Sequence, residues 1–450
     1  MSLNLIDQRL DREQIRAFVK QSWSVSWPMT LIMFFEFMIS LADVYIAGKI
    51  SKDVQAAYGF VVQIYFIFTV IGNALTVGTV SIISRLCQAM RDESYAKAVF
   101  STVAMTALTG LVLGIAGIFL TPVIFDWLNV PDVIKQYGKP LASIYAAGLI
   151  FHYLLINTNG ILRACKGIRK SLRTMALACV LNISLNFFLV FFTPVGFKGI
   201  ALSTAISVAV GSIWNLWSIK DFMNRMKPIA FDVVKQVTRI GWPSGLLQII
   251  WQLASMVLFI ILSALPHHNI EIIAAFTNGL RIEAAIFLPA FAFNMSNAVV
   301  VGNLLGEKKD NQAYQAGLVT AVLGGLVIVL LTFTVLFNAK AIAALLSNNE
   351  IVIRETVKYL YICLLSEPFM AWGVILSGAL NGAGDTKSVM LRVAVSVWLF
   401  RIPLSYLFGV LLGFGAIGVW WSMNTSLLVQ AILISKRYLS KHWLHQAAPL

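Results

Sequence analysis

Twelve apolar stretches, each long enough to cross a bilayer, constrain this 450-residue chain more than any other feature. They run roughly over 26–47, 57–84, 98–121, 140–162, 174–193, 199–219, 243–265, 272–302, 316–337, 357–380, 389–411 and 415–435. A spanning helix needs about 20 predominantly apolar residues. The separations are about 24 residues or fewer, so no large soluble domain fits between them. Composition agrees: 59% of residues are hydrophobic and only 12% charged, where a soluble chain has about a quarter charged. The fold class expected is an all-α polytopic membrane protein.

The formal net charge of +14 would suit a nucleic-acid partner if the basic residues formed one patch. They sort by side of the membrane instead. The amino terminus, the even-numbered connections and the carboxyl terminus hold 23 of the 34 Lys and Arg residues. The odd-numbered connections hold 8, and Arg281, Arg392 and Arg401 fall within spans. The positive-inside bias then places both termini in the cytoplasm, with the plasma membrane as the expected location. Residues 1–23 lack the charged, apolar, small-residue order of a signal peptide and read as an amphipathic segment on the cytoplasmic surface. Cys87, Cys165, Cys179 and Cys363 show neither disulfide nor metal spacing.

The chain repeats itself. Trp27-Pro28 returns as Trp242-Pro243, a shift of 215. Ala57, Ala98, Gly160 and Leu162 return 218 residues later as Ala275, Ala316, Gly378 and Leu380. Gly196-Phe197 returns at 217 as Gly413-Phe414. A shift held within three residues along the chain divides it into a lobe over 24–219, a cytoplasmic linker over 220–241, a second lobe over 242–436 and a tail over 437–450. Six spans per half keep the halves in parallel orientation, as in transporters whose lobes flank a central cavity.

No nucleotide-driven engine is legible. GAGDTKS (382–388) has Thr386 where a phosphate loop needs glycine before the lysine. Catalytic signatures such as GxSxG and HExxH are absent from the sequence. No ATP, cofactor or nucleic acid is expected; a pump of this kind draws on an ion gradient. The candidate carriers are acids inside spans, where an ionised carboxylate costs about 2.5–3.5 kcal/mol on insertion scales and marks a functional site by default. Glu36 and Asp43 stand seven residues apart in the first span, which puts them on one helical face about 10 Å apart. Glu367 precedes Pro368, where a kink frees backbone carbonyls. Glu283 and Arg281 lie about 200° apart on the eighth span and do not pair with each other; Arg281 reads as a neutralising partner for an acid elsewhere, and Arg401 similarly. His152 reads as a core histidine.

Several stretches resemble the multidrug and toxic compound extrusion (MATE) transporters: Pro28, then LADVYIAGKI with Ala56-Ala57, then LNISLNFFLVFFTPVGFKGIALSTAI (181–206), and LNGAGDTKS (380–388) in the second half. The resemblance covers about residues 24–436. It implies two six-helix lobes, alternating access, and export of small organic molecules in exchange for protons or sodium. It matches Asp43 to the coupling acid of the first helix, and Asn182 and Thr204 to its polar partners. Asn186 stands where many members have aspartate, a departure that favours the proton over sodium. Were sodium the ion, Asp43, Asn182, Asn186 and Thr204 would be its ligands. Trp251 stands where some members carry a glutamate, and the acid of their tenth helix falls near Met370, one turn after Glu367. The resemblance therefore does not imply a second-lobe cation site of that kind; Glu367, Glu283 and Arg281 are secondary candidates by their position within spans.

The reading that follows is a monomeric, cation-coupled exporter of small, mostly cationic molecules. A flippase for a lipid-linked sugar is the alternative, and a membrane-embedded enzyme is disfavoured by the absence of a catalytic constellation. The four intramembrane acids (Glu36, Asp43, Glu283, Glu367) outnumber Arg281 and Arg401, which favours a cationic cargo.

Overall fold

The computed structural model describes residues 11–88, 92–127, 130–165, 167–220 and 228–444. The first ten residues of the expected amino-terminal segment, 221–227 of the expected linker, and the last six of the tail lie outside them. Among the described residues, twelve helices are long and apolar enough to span, as the sequence predicts. In the first half they are α1 (Arg12–Ile50), α2 (Lys52–Cys87), α3 (Glu93–Trp127), α4 (Asp132–Ala164), α5 (Ile168–Phe191) and α6 (Gly196–Ser218). In the second half they are α7 (Phe231–Ser263), α8 (Asn269–Gly306), α9 (Asp310–Phe337), α10 (Glu350–Gly382), α11 (Thr386–Leu411) and α12 (Gly415–Leu439). Helices satisfy every backbone group internally, which lipid requires.

The connections use local chemistry. Ser51 Oγ accepts from the Val54 amide at 3.1 Å and caps α2; Asn349 Oδ1 accepts from Ile351 and Val352 and caps α10. The repeat partners Gly196 (φ 58°) and Gly413 (φ 72°) both take the left-handed turn that only glycine adopts without strain.

Two compact units form, one from residues 31–245 and the other from 1–30 with 246–450. The boundaries fall inside α1 and α7, two residues beyond Pro28 and Pro243, the prolines matched by the repeat. This differs from lobes over 24–219 and 242–436. The start of α1 packs with the second half of the chain: Ser22 Oγ meets Thr320 Oγ1 of α9 at 2.6 Å, and Ser296 of α8 donates to the Ser22 carbonyl. The start of α7 packs with the first half, where Gly78 and Gly241 let α7 and α2 cross with backbone nearly touching backbone.

Two further expectations are corrected. Residues 12–23 are not a separate surface helix but the first turns of α1, since no breaker stands between them and the span. Cys87 and Cys165 form a disulfide, with Cα atoms 5.9 Å apart. Their 78-residue separation shows no motif; the packing of α2 along α4 brings the two helix ends together.

Candidate ion-coupling site

Five helices of the first unit converge on Asp43, which is 2% exposed. Oδ1 accepts from Asn186 Nδ2 on α5 at 2.6 Å. Oδ2 accepts from Thr204 Oγ1 on α6 at 2.9 Å, and from the hydroxyls of Tyr58 on α2 and Tyr145 on α4, each at 3.4 Å. Asn182, one turn before Asn186, donates to Thr204 Oγ1 at 3.0 Å and so turns that hydroxyl toward the acid. The Oδ1 atoms of Asn182 and Asn186 are buried and accept no hydrogen bond. Among the described residues, no lysine, arginine or histidine makes an ion pair with Asp43.

The acid is thus buried with neutral donors and no counter-charge. A carboxylate charge buried in this way is costly unless it is neutralised. Asp43, Asn182, Asn186 and Thr204 stand together as the sequence indicated. Tyr58 and Tyr145 were missed, and a signal for Tyr58 existed. The first two helices turn around Ser51, so residues 43 and 58 sit at nearly equal depth, and a phenol at that depth needs a polar partner.

Glu36 is elsewhere. Its side chain is exposed on the unit's surface, outside the ring of donors, and Arg163 of α4 acts on it electrostatically. Sharing a helical face with Asp43 did not bring it among the same donors. His152 packs edge-on against Tyr65, with ring centroids 5.6 Å apart.

The second unit holds a different cluster. Glu283 of α8 accepts from the Tyr359 hydroxyl of α10 at 2.7 Å. Glu367, 1% exposed, begins the half of α10 that follows a tightened turn at Leu364–Ser366. The expected kink at Pro368 is there, and Asn424 of α12 answers the polar groups around it: its amide donates to the Ile362 carbonyl, and its Oδ1 accepts from Ser366 Oγ, both at 2.7 Å. Arg401 is buried, and its Nε donates to Ser426 Oγ at 2.8 Å, whereas Arg281 is exposed on the opposite side of α8. The 200° separation that kept Arg281 from Glu283 also turned it away from the whole cluster.

A family model described as MatE matches residues 28–188 and 243–407. The chain is 22% identical over 435 residues to an uncharacterized transporter, YisQ, of Bacillus subtilis, covering 94% of this chain and 95% of that one. It is 21% identical to a probable multidrug resistance protein, NorM, of Thermotoga maritima, covering 98% and 97%. In fold it is similar to a mutant of the Vibrio cholerae MATE transporter VcmN, with a TM-score of 0.89 at 18% identity over 97% of this chain and all of that one. It is also similar to an outward-facing multidrug resistance MATE family transporter, with a TM-score of 0.87 at 19% identity over 96% and 99% of the two chains. The flippase alternative finds no support among these relatives. The chain belongs to the MATE family: it is a multi-pass membrane transporter of small molecules, not an enzyme.

Proposed function

We propose that the protein is a proton-coupled antiporter that exports small organic, mostly cationic, molecules across the plasma membrane, with Asp43 as its coupling carboxylate. Both termini lie in the cytoplasm, and the chain works as a monomer without ATP. The six-helix units alternate access to a binding region, and the state of Asp43 decides which direction is favoured.

One observation supports the choice of ion. Asn186, whose amide lies 2.6 Å from Asp43, stands where the MATE resemblance expects an aspartate. The contacts of Asp43 are therefore neutral, and a sodium ion loses a charged ligand that a proton does not need. Rotation of one of the hydroxyls of Thr204, Tyr58 or Tyr145 changes a donor into an acceptor for the new O–H. The site therefore accepts a proton with a few torsions and no movement of helices. The loss of charge removes the reason for four donors to crowd one acid, which loosens α2, α4, α5 and α6 around α1.

The test is efflux of a fluorescent organic cation, ethidium, by purified protein in liposomes, under an imposed pH gradient or an imposed sodium gradient. Efflux driven by the pH gradient and lost in Asp43→Asn is expected. Efflux driven by sodium alone, or an Asp43→Asn variant that remains fully coupled, contradicts the reading.

A further inference from the structure

Cys87 ends α2, Cys165 directly follows α4, and the disulfide between them has no part in the proton cycle at Asp43. Both are only half-buried, so small reagents reach them, whereas Cys179 and Cys363 are buried and free.

Two observations weigh against a purely structural staple. The first is the repeat. A shift of 218 carries Cys87 to Leu305 near the end of α8, and Cys165 to Ala383 directly after α10. Both of those residues are buried in the core of the second unit. The corresponding helix ends of the other half are therefore held by apolar packing, and the scaffold does not require a bridge there. The second is position. Both cysteines stand on the side that the topology proposed above gives to the cytoplasm. Thiols are kept reduced there, and a disulfide is characteristically transient or redox-sensing. Arg85, Arg163, Arg169 and Lys170 lie within five positions of the pair, the electropositive setting in which thiols react most readily.

The bridge completes a row of contacts down the two helices. The Tyr153 hydroxyl of α4 donates to the Phe68 carbonyl of α2 at 2.6 Å. Gly160 lets α4 close on Thr76 and Val80 of α2, where a Cβ would come within 2.9 and 3.1 Å of their methyls. The cysteine Cα atoms then stand 5.9 Å apart, a usual span for a disulfide. Toward the other end, the same two helices present Tyr58 and Tyr145, whose hydroxyls both donate to Oδ2 of Asp43 at 3.4 Å. Neither helix has a proline between its tyrosine and its cysteine, so no built-in kink uncouples the bridge from the phenols.

We propose that Cys87 and Cys165 form a reversible redox clamp: the disulfide holds α2 and α4 in one register, keeps both phenols on Asp43 and slows transport, and reduction to two thiols releases it. The effect on transport rests on the loosening around Asp43 proposed above; the chemistry of the pair does not. The oxidant is a low-molecular-weight disulfide. One cysteine thiolate attacks it, forms a mixed disulfide and expels one small thiolate; the other cysteine thiolate attacks the mixed disulfide and expels the second. Two cysteines are oxidised, one small disulfide is reduced, and the protons lost by the cysteines pass to the two small thiols released. Reduction by a small dithiol is the same exchange in reverse.

The test begins in cells expressing the full chain, which are quenched in acid, denatured and alkylated so that intact mass counts labels on the four cysteines. Growing cells should give four labels, and cells exposed to the permeant oxidant dipyridyl disulfide only two. Purified protein in liposomes is then compared, bridged and after reduction by dithiothreitol, by ethidium efflux and by hydrogen exchange of α2 and α4. Reduction should raise efflux several-fold and speed exchange around Tyr58 and Tyr145. Cys87→Ser and Cys165→Ser should each match the reduced wild type and respond to neither reagent. Two labels in growing cells would make the bridge a permanent staple, and four labels after the oxidant would mean that the pair does not close; either overturns the proposal. Equal efflux or equal exchange in the two redox states overturns it as well, as does a serine variant that still responds. If one serine variant fails to fold, the other and the reduced wild type decide. If ethidium moves under no gradient in either redox state, the export reading fails, and the label count and hydrogen exchange still decide the clamp.

Discussion

The two units bury their acids in opposite ways. In the first, Asp43 of α1 is surrounded by three hydroxyls and one amide, from four neighbouring helices, that donate without carrying charge. In the second, Glu283 and Glu367 share a space with Arg401, whose charge is anchored by Trp251 and Ser426. The repeat makes the comparison sharper. Tyr145 of the Asp43 site matches Cys363 of the second cluster at the shift of 218, whereas Glu283 falls at the position of Tyr65. The halves began alike and placed their charge at different points of the same scaffold. Dynamics should follow suit, with the first unit loosening on protonation and the second holding one packing throughout.

The largest effect expected is from Asp43→Asn, which should reduce gradient-driven efflux to background while leaving the fold intact, as judged by an unchanged elution profile and thermal transition. Next is the second cluster, where the cost should be structural. Glu283→Ala leaves the buried Tyr359 hydroxyl without its acceptor, a cost of about 1–3 kcal/mol. Glu367→Gln should cost less than about 1 kcal/mol, since a neutral amide replaces a group without a bond at Oε2. Thermal unfolding in detergent would show a large drop for the first and a small one for the second; equal drops would erase the contrast.

Smaller changes are expected around Asp43. Tyr58→Phe and Tyr145→Phe each remove one donor to the carboxylate, about 0.5–1.5 kcal/mol. The donor favours the charged form, so its loss favours the protonated form. The pH profile of efflux should therefore move to higher pH, by about half a unit to one unit. A move to lower pH would mean that the phenols stabilise the protonated acid instead. The smallest effect should come from Glu36→Gln. It lies outside the ring of donors, so efflux should fall a few-fold at most, with coupling to the pH gradient retained; loss of coupling would return Glu36 to the site.

Much of this was legible in the chain. Segment length and apolarity specify twelve helices because lipid permits little else, and the repeat follows from Trp27-Pro28 and Gly196-Phe197 returning in register. A carboxylate inside a span marked Asp43, and the MATE resemblance, position by position, added Asn182, Asn186 and Thr204. What escaped depended on contacts between distant segments. Angles along one helix put Glu36 beside Asp43 but could not say where the neighbouring helices close over α1. They separated Arg281 from Glu283 correctly, yet only the packing of α8 against α10 shows that Tyr359 is the donor to Glu283. The Cys87–Cys165 bridge is of the same kind: it joins two helix ends that sequence spacing leaves unrelated.

The most direct test of the account reverses the usual assay. Liposomes containing purified protein and a trapped pH-sensitive dye are given an outward or inward ethidium gradient without any imposed pH difference. Proton movement opposite to ethidium, present in the wild type and absent from Asp43→Asn, is the predicted result. Ethidium movement with no accompanying proton movement in the wild type, or proton movement that persists in Asp43→Asn, would contradict the assignment of Asp43 as the coupling carboxylate.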